Sequence, residues 1–153
     1  MKPDWLKIKI KTGSDYKIIE SLIKESSLKT ICSSGKCPNR NECWSRGAAT
    51  FMILGDICSR GCKFCATDCG VPNPPDILEP DKIAQSIKKL NLSYCVITSV
   101  TRDDLPDEGA NHWSQVITCS KRINPNTIIE VLIPDFNNKK ELIDIILSAK
   151  PHV

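Results

Sequence analysis

Four apolar positions, Ile18, Ile19, Leu22 and Ile23, recur at helical spacing early in the chain, with Ser14 or Asp15 ahead of them as a candidate cap. They predict a helix ending near Leu28. A loop follows over residues 32–46, where Gly35 and Pro38 turn the chain. Ala49 to Leu54 is a short apolar run, the pattern of a parallel strand covered on both faces. Pro72, Pro74, Pro75 and Pro80 keep the next connection irregular up to a helix beginning at Asp81 or Lys82, with Ile83, Ile87 and Leu90 on one face. Tyr94 to Thr98 predicts a second strand, Ser99 to Gly109 a polar loop, and Trp113, Val116 and Ile117 one side of another helix. A strand at Ile128–Ile133 and a helix at Lys139–Ala149 complete the pattern.

Strand, loop and helix thus alternate three times, which implies an α/β fold with parallel strands and right-handed crossovers. Both an open doubly wound sheet and a (βα) barrel satisfy that order. In a barrel the chemistry sits on loops after the strands, where residues 55–70 and 99–109 fall. Three βα units cannot close a barrel, and Pro151-His152-Val153 reads as the start of a fourth strand. The expectation is therefore the N-terminal half of something longer, with an extension over residues 1–48 and the βα units over 49–153.

Composition narrows the class. A content of 41% hydrophobic and 25% charged residues is that of a soluble globular protein, and 153 residues make one domain the default count. The start, Met1-Lys2-Pro3-Asp4-Trp5, lacks the apolar stretch of a signal peptide, and no apolar run is long enough to span a bilayer. A net charge of +3 is too small to argue for nucleic acid. Lys2, Lys7, Lys9 and Lys11 cluster at one end, either as the solvated face of an edge strand or as a docking surface for an acidic protein. Nine cysteines, an odd number, fit a reducing compartment with thiolates spent on metal, so a cytoplasmic location is expected.

Six of those cysteines fall into two triplets. Cys58, Cys62 and Cys65 form CxxxCxxC; Cys32, Cys37 and Cys43 form CxxxxCxxxxxC upstream. Three thiolates hold three corners of a cubane iron–sulfur cluster and leave the fourth iron open to a small molecule or an unusual ligand. A structural zinc site shared between the triplets is the alternative, but zinc sites usually pair CxxC with a second pair or with histidines, and the chain's histidines are His112 and His152. Cys95 and Cys119 sit in strand and helix patterns as small buried hydrophobes. The role of Cys69 stays open.

The segment Cys58-Ser-Arg-Gly-Cys62-Lys-Phe64-Cys65 resembles the signature of the radical S-adenosylmethionine (SAM) superfamily. The upstream triplet with Pro38, Asn39 and Trp44, then Ala49-Thr50-Phe51, resembles the lipoyl synthases within it. Lys2-Pro3-Asp4-Trp5-Leu6, Thr98-Ser99-Val100-x-Arg102-Asp103-Asp104-Leu105 and Pro134-Asp135-Phe136 extend the likeness over essentially the whole chain. Pro106-Asp107-Glu108-Gly109 departs from it, because that family commonly has two glycines there.

The resemblance implies a partial (βα) barrel of the radical SAM type and insertion of two sulfurs at C6 and C8 of a protein-bound octanoyl group. It implies that Cys58, Cys62 and Cys65 hold a [4Fe-4S] cluster that binds SAM, and that Cys32, Cys37 and Cys43 hold an auxiliary [4Fe-4S] cluster dismantled to donate sulfur. A serine near the far C-terminus of the family is that cluster's fourth ligand, and a chain of these residues alone is expected to be inactive. Both triplets are expected to face the C-terminal ends of the strands, and an upstream triplet that points away from them counts against the carried-over cluster roles. Implied partners are octanoylated lipoyl carrier domains, such as glycine cleavage H protein or a 2-oxoacid dehydrogenase E2, and an electron donor such as ferredoxin or flavodoxin. A biotin synthase relative, or a metal-binding module without catalysis, are the alternatives.

For the cofactor itself, Phe64 is a candidate neighbour of the adenine, with plain loop packing as its other reading. Ser99 and Asp103 or Asp104 are candidates for the methionyl end. The two carboxylates read equally as a charge arrangement at a helix N-terminus. Glu130, inside an apolar strand run, faces either a cavity or solvent.

Overall fold

The three βα units fold as the apolar pattern predicts. In the computed structural model, which describes residues 14–45 and 48–153, they comprise β2 (Thr50–Ile53), α4 (Glu79–Lys89), β3 (Tyr94–Ser99), α5 (Ala110–Ile123), β4 (Ile128–Leu132) and α6 (Lys140–Ser148). Before them come α1 (Ser14–Glu25), β1 (Lys29–Thr30), α2 (Ile31–Ser34) and α3 (Arg40–Ser45). The lysine cluster at Lys2, Lys7, Lys9 and Lys11 and the Lys2–Leu6 segment lie outside the described residues. Helix α4 begins at Glu79, earlier than expected, because Pro80 is tolerated in a first turn whose N–H groups lack intrahelical partners.

Strand order is β1-β2-β3-β4. Strands β2, β3 and β4 run parallel, with Phe51 beside Ile97 and Ile97 beside Val131. The sheet is open rather than closed, a partial βα fold. His152 donates to the carbonyl of Ile129 at 3.0 Å and Val131 to that of Val153 at 3.0 Å, so the last residues already run alongside β4.

Side chains alternate across the sheet. Cys95, Ile97 and Ile129 are fully buried toward the helices, where Ile83, Ile87, Trp113, Val116 and Ile117 meet them. Burial of each such aliphatic or aromatic side chain contributes about 1.5–3 kcal/mol. On the opposite face Tyr94, Ile128 and Leu132 are exposed, and Val96, Thr98 and Glu130 half-buried. Coverage on both faces therefore holds for β2, with Phe51, Met52 and Ile53 all buried, and not for β3 and β4. Glu130 accepts a hydrogen bond from the Tyr94 hydroxyl on that open face.

The N-terminal elements build a smaller core. Ile19, Cys32, Trp44 and Ala49 are buried together, with Tyr16, Ile23, Cys43 and Leu90 packed against them. Tyr16 and Trp44 rings stand 5.2 Å apart, and the Arg40 guanidinium lies 5.5 Å from the Trp44 ring centroid. Among the described residues no helix is long and apolar enough to cross a membrane.

Candidate functional site

Beyond its last paired residue, Ile53, strand β2 turns sharply: Leu54 has φ +66° and Gly55 φ +99°. Leu54 leaves the ladder, and side chains satisfy its backbone instead. Its N–H donates to Glu79 Oε2 at 2.8 Å, and its carbonyl accepts from Arg102 Nη1 at 3.0 Å. Gly109, at φ +87°, lets the next loop close over this turn, since a Cβ there would stand 2.6 Å from Leu54 Cδ1. Glu79 and Arg102, both buried, thus fix the point from which the CxxxCxxC loop departs.

That loop closes on itself at its base. Cys58 N–H donates to Asp68 O at 2.9 Å, and Gly70 N–H to Cys58 O at 3.0 Å, a parallel bridge between Cys58 and Cys69. Ser59 binds the loop after β3: its N–H and its hydroxyl both donate to Thr101 O at 3.0 Å, and its Oγ accepts from Asp103 N–H at 3.0 Å. Cys58 Sγ accepts from the backbone N–H groups of Arg60 and Thr101, each at 3.4 Å. These two contacts fix the position of the sulfur at the base of the loop. Cys62 and Cys65 are exposed, and hydrogen bonds from Thr67 hold the Cys65 thiol below the usual range.

All nine cysteines are free thiols. Three soft donors on one loop at the C-terminal end of a parallel strand, one of them anchored and two exposed, suit an iron–sulfur cluster with an open corner. Among the described residues no three His, Cys, Asp or Glu side chains converge as a single metal ion would require. A cubane spreads its thiolates over separate irons, whereas a zinc ion gathers four ligands at one centre. Both histidines are engaged elsewhere: His112 Nε2 lies 2.6 Å from Glu79 Oε2, and His152 Nδ1 accepts from Ile129 N–H at 3.0 Å. The three thiols of the loop are a donor set that fits a cluster, and neither histidine joins them.

The upstream triplet departs from expectation. Strand β1 runs antiparallel to β2, with Thr30 beside Phe51. Continuing that register carries α2 back past the start of β2, and Cys32 packs with Ala49, Trp44 and Ile19. Cys32 is buried, Cys43 half-buried on α3, and Cys37 half-buried in the turn between α2 and α3. The triplet therefore sits at the N-terminal end of β2, and the CxxxCxxC loop at its C-terminal end. A two-residue strand has no visible sequence signature, so this reversal was not foreseeable.

Of the four candidate cofactor contacts, Ser99 ends β3 and Asp103 and Asp104 lie on the loop after it, all three already with partners, while Phe64 lies on the exposed cysteine loop. Phe64 is 94% exposed. Ser99 Oγ accepts from Trp113 Nε1 at 3.3 Å. Asp104 is held below the usual carboxylate range by Arg102, whose Nε and Nη2 donate to it at 2.9 and 2.8 Å. Asp103 is lowered in the same way by Arg60, with Nε and Nη2 at 2.6 and 2.7 Å. The carboxylates serve the protein's own cations, a role that a helix-terminal charge arrangement did not anticipate.

Arg60 was missed as a functional residue. Its Nη1 also donates to both oxygens of Asp135, at 2.8 and 2.9 Å, and its Nη2 to Asn137 Oδ1 at 2.9 Å. Asn137 Nδ2 donates in turn to Asp103 and to Glu108 Oε1, and Lys139 Nζ lies 2.7 Å from the same Glu108 oxygen. The available signal was a cation between two cysteines of the CxxxCxxC loop, with an acid on each of the next two strand-end loops. Cys69 is exposed beside this loop, its Sγ 3.5 Å from where a Gly61 Cβ would stand. Cys95 and Cys119 are buried as expected; burial pushes the Cys95 thiol up to about 12, and Cys119 donates to Asp81 at 3.0 Å.

Comparison with known proteins agrees with this geometry. Residues 52–153 match the radical SAM superfamily. Over 152 residues, 99% of the chain, the sequence is 53% identical to a lipoyl synthase of Bacteroides thetaiotaomicron, covering 54% of that protein. The corresponding values are 55% identity and 53% coverage for a lipoyl synthase of Bacteroides fragilis, and 53% and 52% for one of Treponema denticola. The chain spans about half the length of the curated relatives it matches.

Proposed function

The chain belongs to the radical SAM superfamily, and on that premise we propose that it is the cluster-bearing part of a lipoyl synthase, which inserts two sulfur atoms at C6 and C8 of a protein-bound octanoyl group. The observation that carries this reading is the upstream triplet, Cys32, Cys37 and Cys43, within a chain similar over 99% of its length to lipoyl synthases. Residues 1–48 form the extension carrying that triplet, and residues 49–153 the first part of the barrel.

Cys58, Cys62 and Cys65 hold a [4Fe-4S] cluster that binds SAM, and Cys32, Cys37 and Cys43 an auxiliary [4Fe-4S] cluster. When bound, the first supplies the electron that releases a 5′-deoxyadenosyl radical from SAM, and the second supplies sulfur. The protein's part is to place and shield these groups. The Arg60 and Thr101 amides hold Cys58 Sγ, so the base of the loop is fixed to the ends of β2 and β3. Phe64 is free to cover an adenine ring, and Ser99, Asp103 and Asp104 stand at the methionyl side. Asp103 and Asp104 keep lone pairs beyond those used by Arg60 and Arg102, so each can accept once more.

The position of the triplets sets a demand on the substrate. Strand β2 is four residues long, roughly 13 Å at about 3.3 Å per residue. A substrate activated at one end and sulfurated from the other lies along the sheet's open face, where Val96 and Leu132 present apolar surface. The partners are octanoylated lipoyl carrier domains, of the glycine cleavage H protein or 2-oxoacid dehydrogenase E2 kind. A ferredoxin or flavodoxin donates electrons, and the location is cytoplasmic.

The test uses the full-length protein, reconstituted anaerobically and incubated with SAM, a reductant and an octanoylated carrier domain. Mass spectrometry of the carrier reads the outcome. Two hydrogens replaced by two bridging sulfurs is the expected product; SAM cleavage with an unchanged carrier contradicts it and favours a biotin synthase relative.

A further inference from the structure

Within the CxxxCxxC loop, the base and the tip are held by different means. Hydrogen bonds from Cys58 N–H to Asp68 O, from Gly70 N–H to Cys58 O and from Ser59 N–H to Thr101 O secure the base. From Gly61 to Ala66 every residue is exposed, and Cys65 N–H to Cys62 O, at 3.0 Å, is an internal bond of the tip. Arg60 stands at the junction. Its guanidinium meets Asp103, on the loop after β3, as a two-pronged fork and places a further nitrogen between both oxygens of Asp135, on the loop after β4.

We propose that Arg60 is the positioning residue of the cysteine loop: by binding Asp103 and Asp135 at once, it sets where Cys62 and Cys65 stand relative to the ends of β3 and β4. This rests on the cluster assignment above. An isolated exposed ion pair contributes little, but bidentate geometry and membership of a network are the conditions under which such pairs matter. Both hold here. The Arg60 side chain is 27% exposed and that of Asp103 33%. The network continues through Asn137 to the buried Glu108 and on to Lys139.

Charge explains why one cation is indispensable. Asp103, Asp135 and Glu108 face Arg60 and Lys139 across the three strand-end loops. Without Arg60, Lys139 still pairs with Glu108, but Asp103 and Asp135 lose their ion-pair partner and repel each other across the gap between their loops. Lysine does not substitute fully, because a single ammonium cannot fork onto two carboxylates in one plane.

Amide hydrogen exchange and electron paramagnetic resonance on the full-length protein test this. In Arg60→Met, the hydrogen-bonded amides of Ser59, Cys65, Thr101 and Asp103 exchange about tenfold faster or more, while amides in β3 and α5 keep wild-type rates. Iron content stays at the wild-type level, and the spectral change of the reduced cluster on adding SAM is lost. Arg60→Lys recovers part of both, and pairing Arg60→Asp with Asp103→Arg slows loop exchange relative to either single variant, a readout that does not depend on SAM. Unchanged loop exchange overturns the proposal, as does faster exchange in loop and core together, which marks a merely structural role. If the wild type takes up no iron, the cluster assignment fails, and exchange in the metal-free protein still decides Arg60.

Discussion

Arg102 donates to the carbonyl of Leu54 at 3.0 Å from a side chain that is only 1% exposed. That bond holds the turn out of β2 at the point where the chain leaves the sheet for the cysteines. Replacing Arg102 with Met leaves the Leu54 carbonyl without its donor and Asp104 without its cation. A loss of about 2–4 kcal/mol follows from removing one partner of a buried charged group. Urea unfolding checks it: the midpoint falls and the slope stays the same.

Gly109 offers a sharper steric test. Gly109→Ala places a Cβ 2.6 Å from Leu54 Cδ1 at φ +87°, so backbone strain and overlap both destabilise, by about 1–3 kcal/mol. Gly61→Ala meets only Cys69 Sγ, at 3.5 Å, and leaves the thermal midpoint unchanged. The contrast between the two glycines is the prediction.

The repeating βα order was legible because each strand and helix carries its own apolar period, and the helices in particular matched within a few residues. The placement of Cys58, Cys62 and Cys65 on the loop after the first parallel strand was legible because cysteine spacing and strand pattern are both local properties. What escaped depends on contacts between distant segments. Strand β1 is two residues long, and its pairing with β2 is what moves Cys32 to the far end of that strand. In the sequence, Asp103 and Asp104 read either as cofactor contacts or as a charge arrangement at a helix N-terminus. Only the fold brings Arg60 to one, while Arg102 reaches the other from two residues away.

Glu108 gives the structure a pH dependence of known sign. Lys139, and then Asn137, hold its carboxyl below the ordinary glutamate value of about 4.3. A depressed folded pKa contributes stability in full above the unfolded value, and this is lost as pH falls through the folded one. Glu108→Gln is therefore less stable than wild type at neutral pH, and the gap narrows on acidification below roughly pH 5. Thermal midpoints measured across that range read the difference; parallel curves contradict it.

On the proposed function, the two triplets divide the labour, and two variants separate their roles. Cys62→Ala in the full-length protein abolishes SAM cleavage, because one thiolate of the cleaving cluster is gone. Cys37→Ala still releases 5′-deoxyadenosine, yet the carrier gains no sulfur. Chromatography of the nucleoside alongside mass spectrometry of the carrier separates them, and equal loss of cleavage in both contradicts separate roles.

The most direct measurement is the iron and sulfide content of the anaerobically reconstituted full-length protein, with its Mössbauer spectrum, for the wild type and for each triplet replaced by alanine. The account predicts about eight irons in the wild type, and about four, as one cubane, in each triplet variant. A single cubane in the wild type that survives loss of Cys32, Cys37 and Cys43, or one bound zinc without a chromophore, contradicts it.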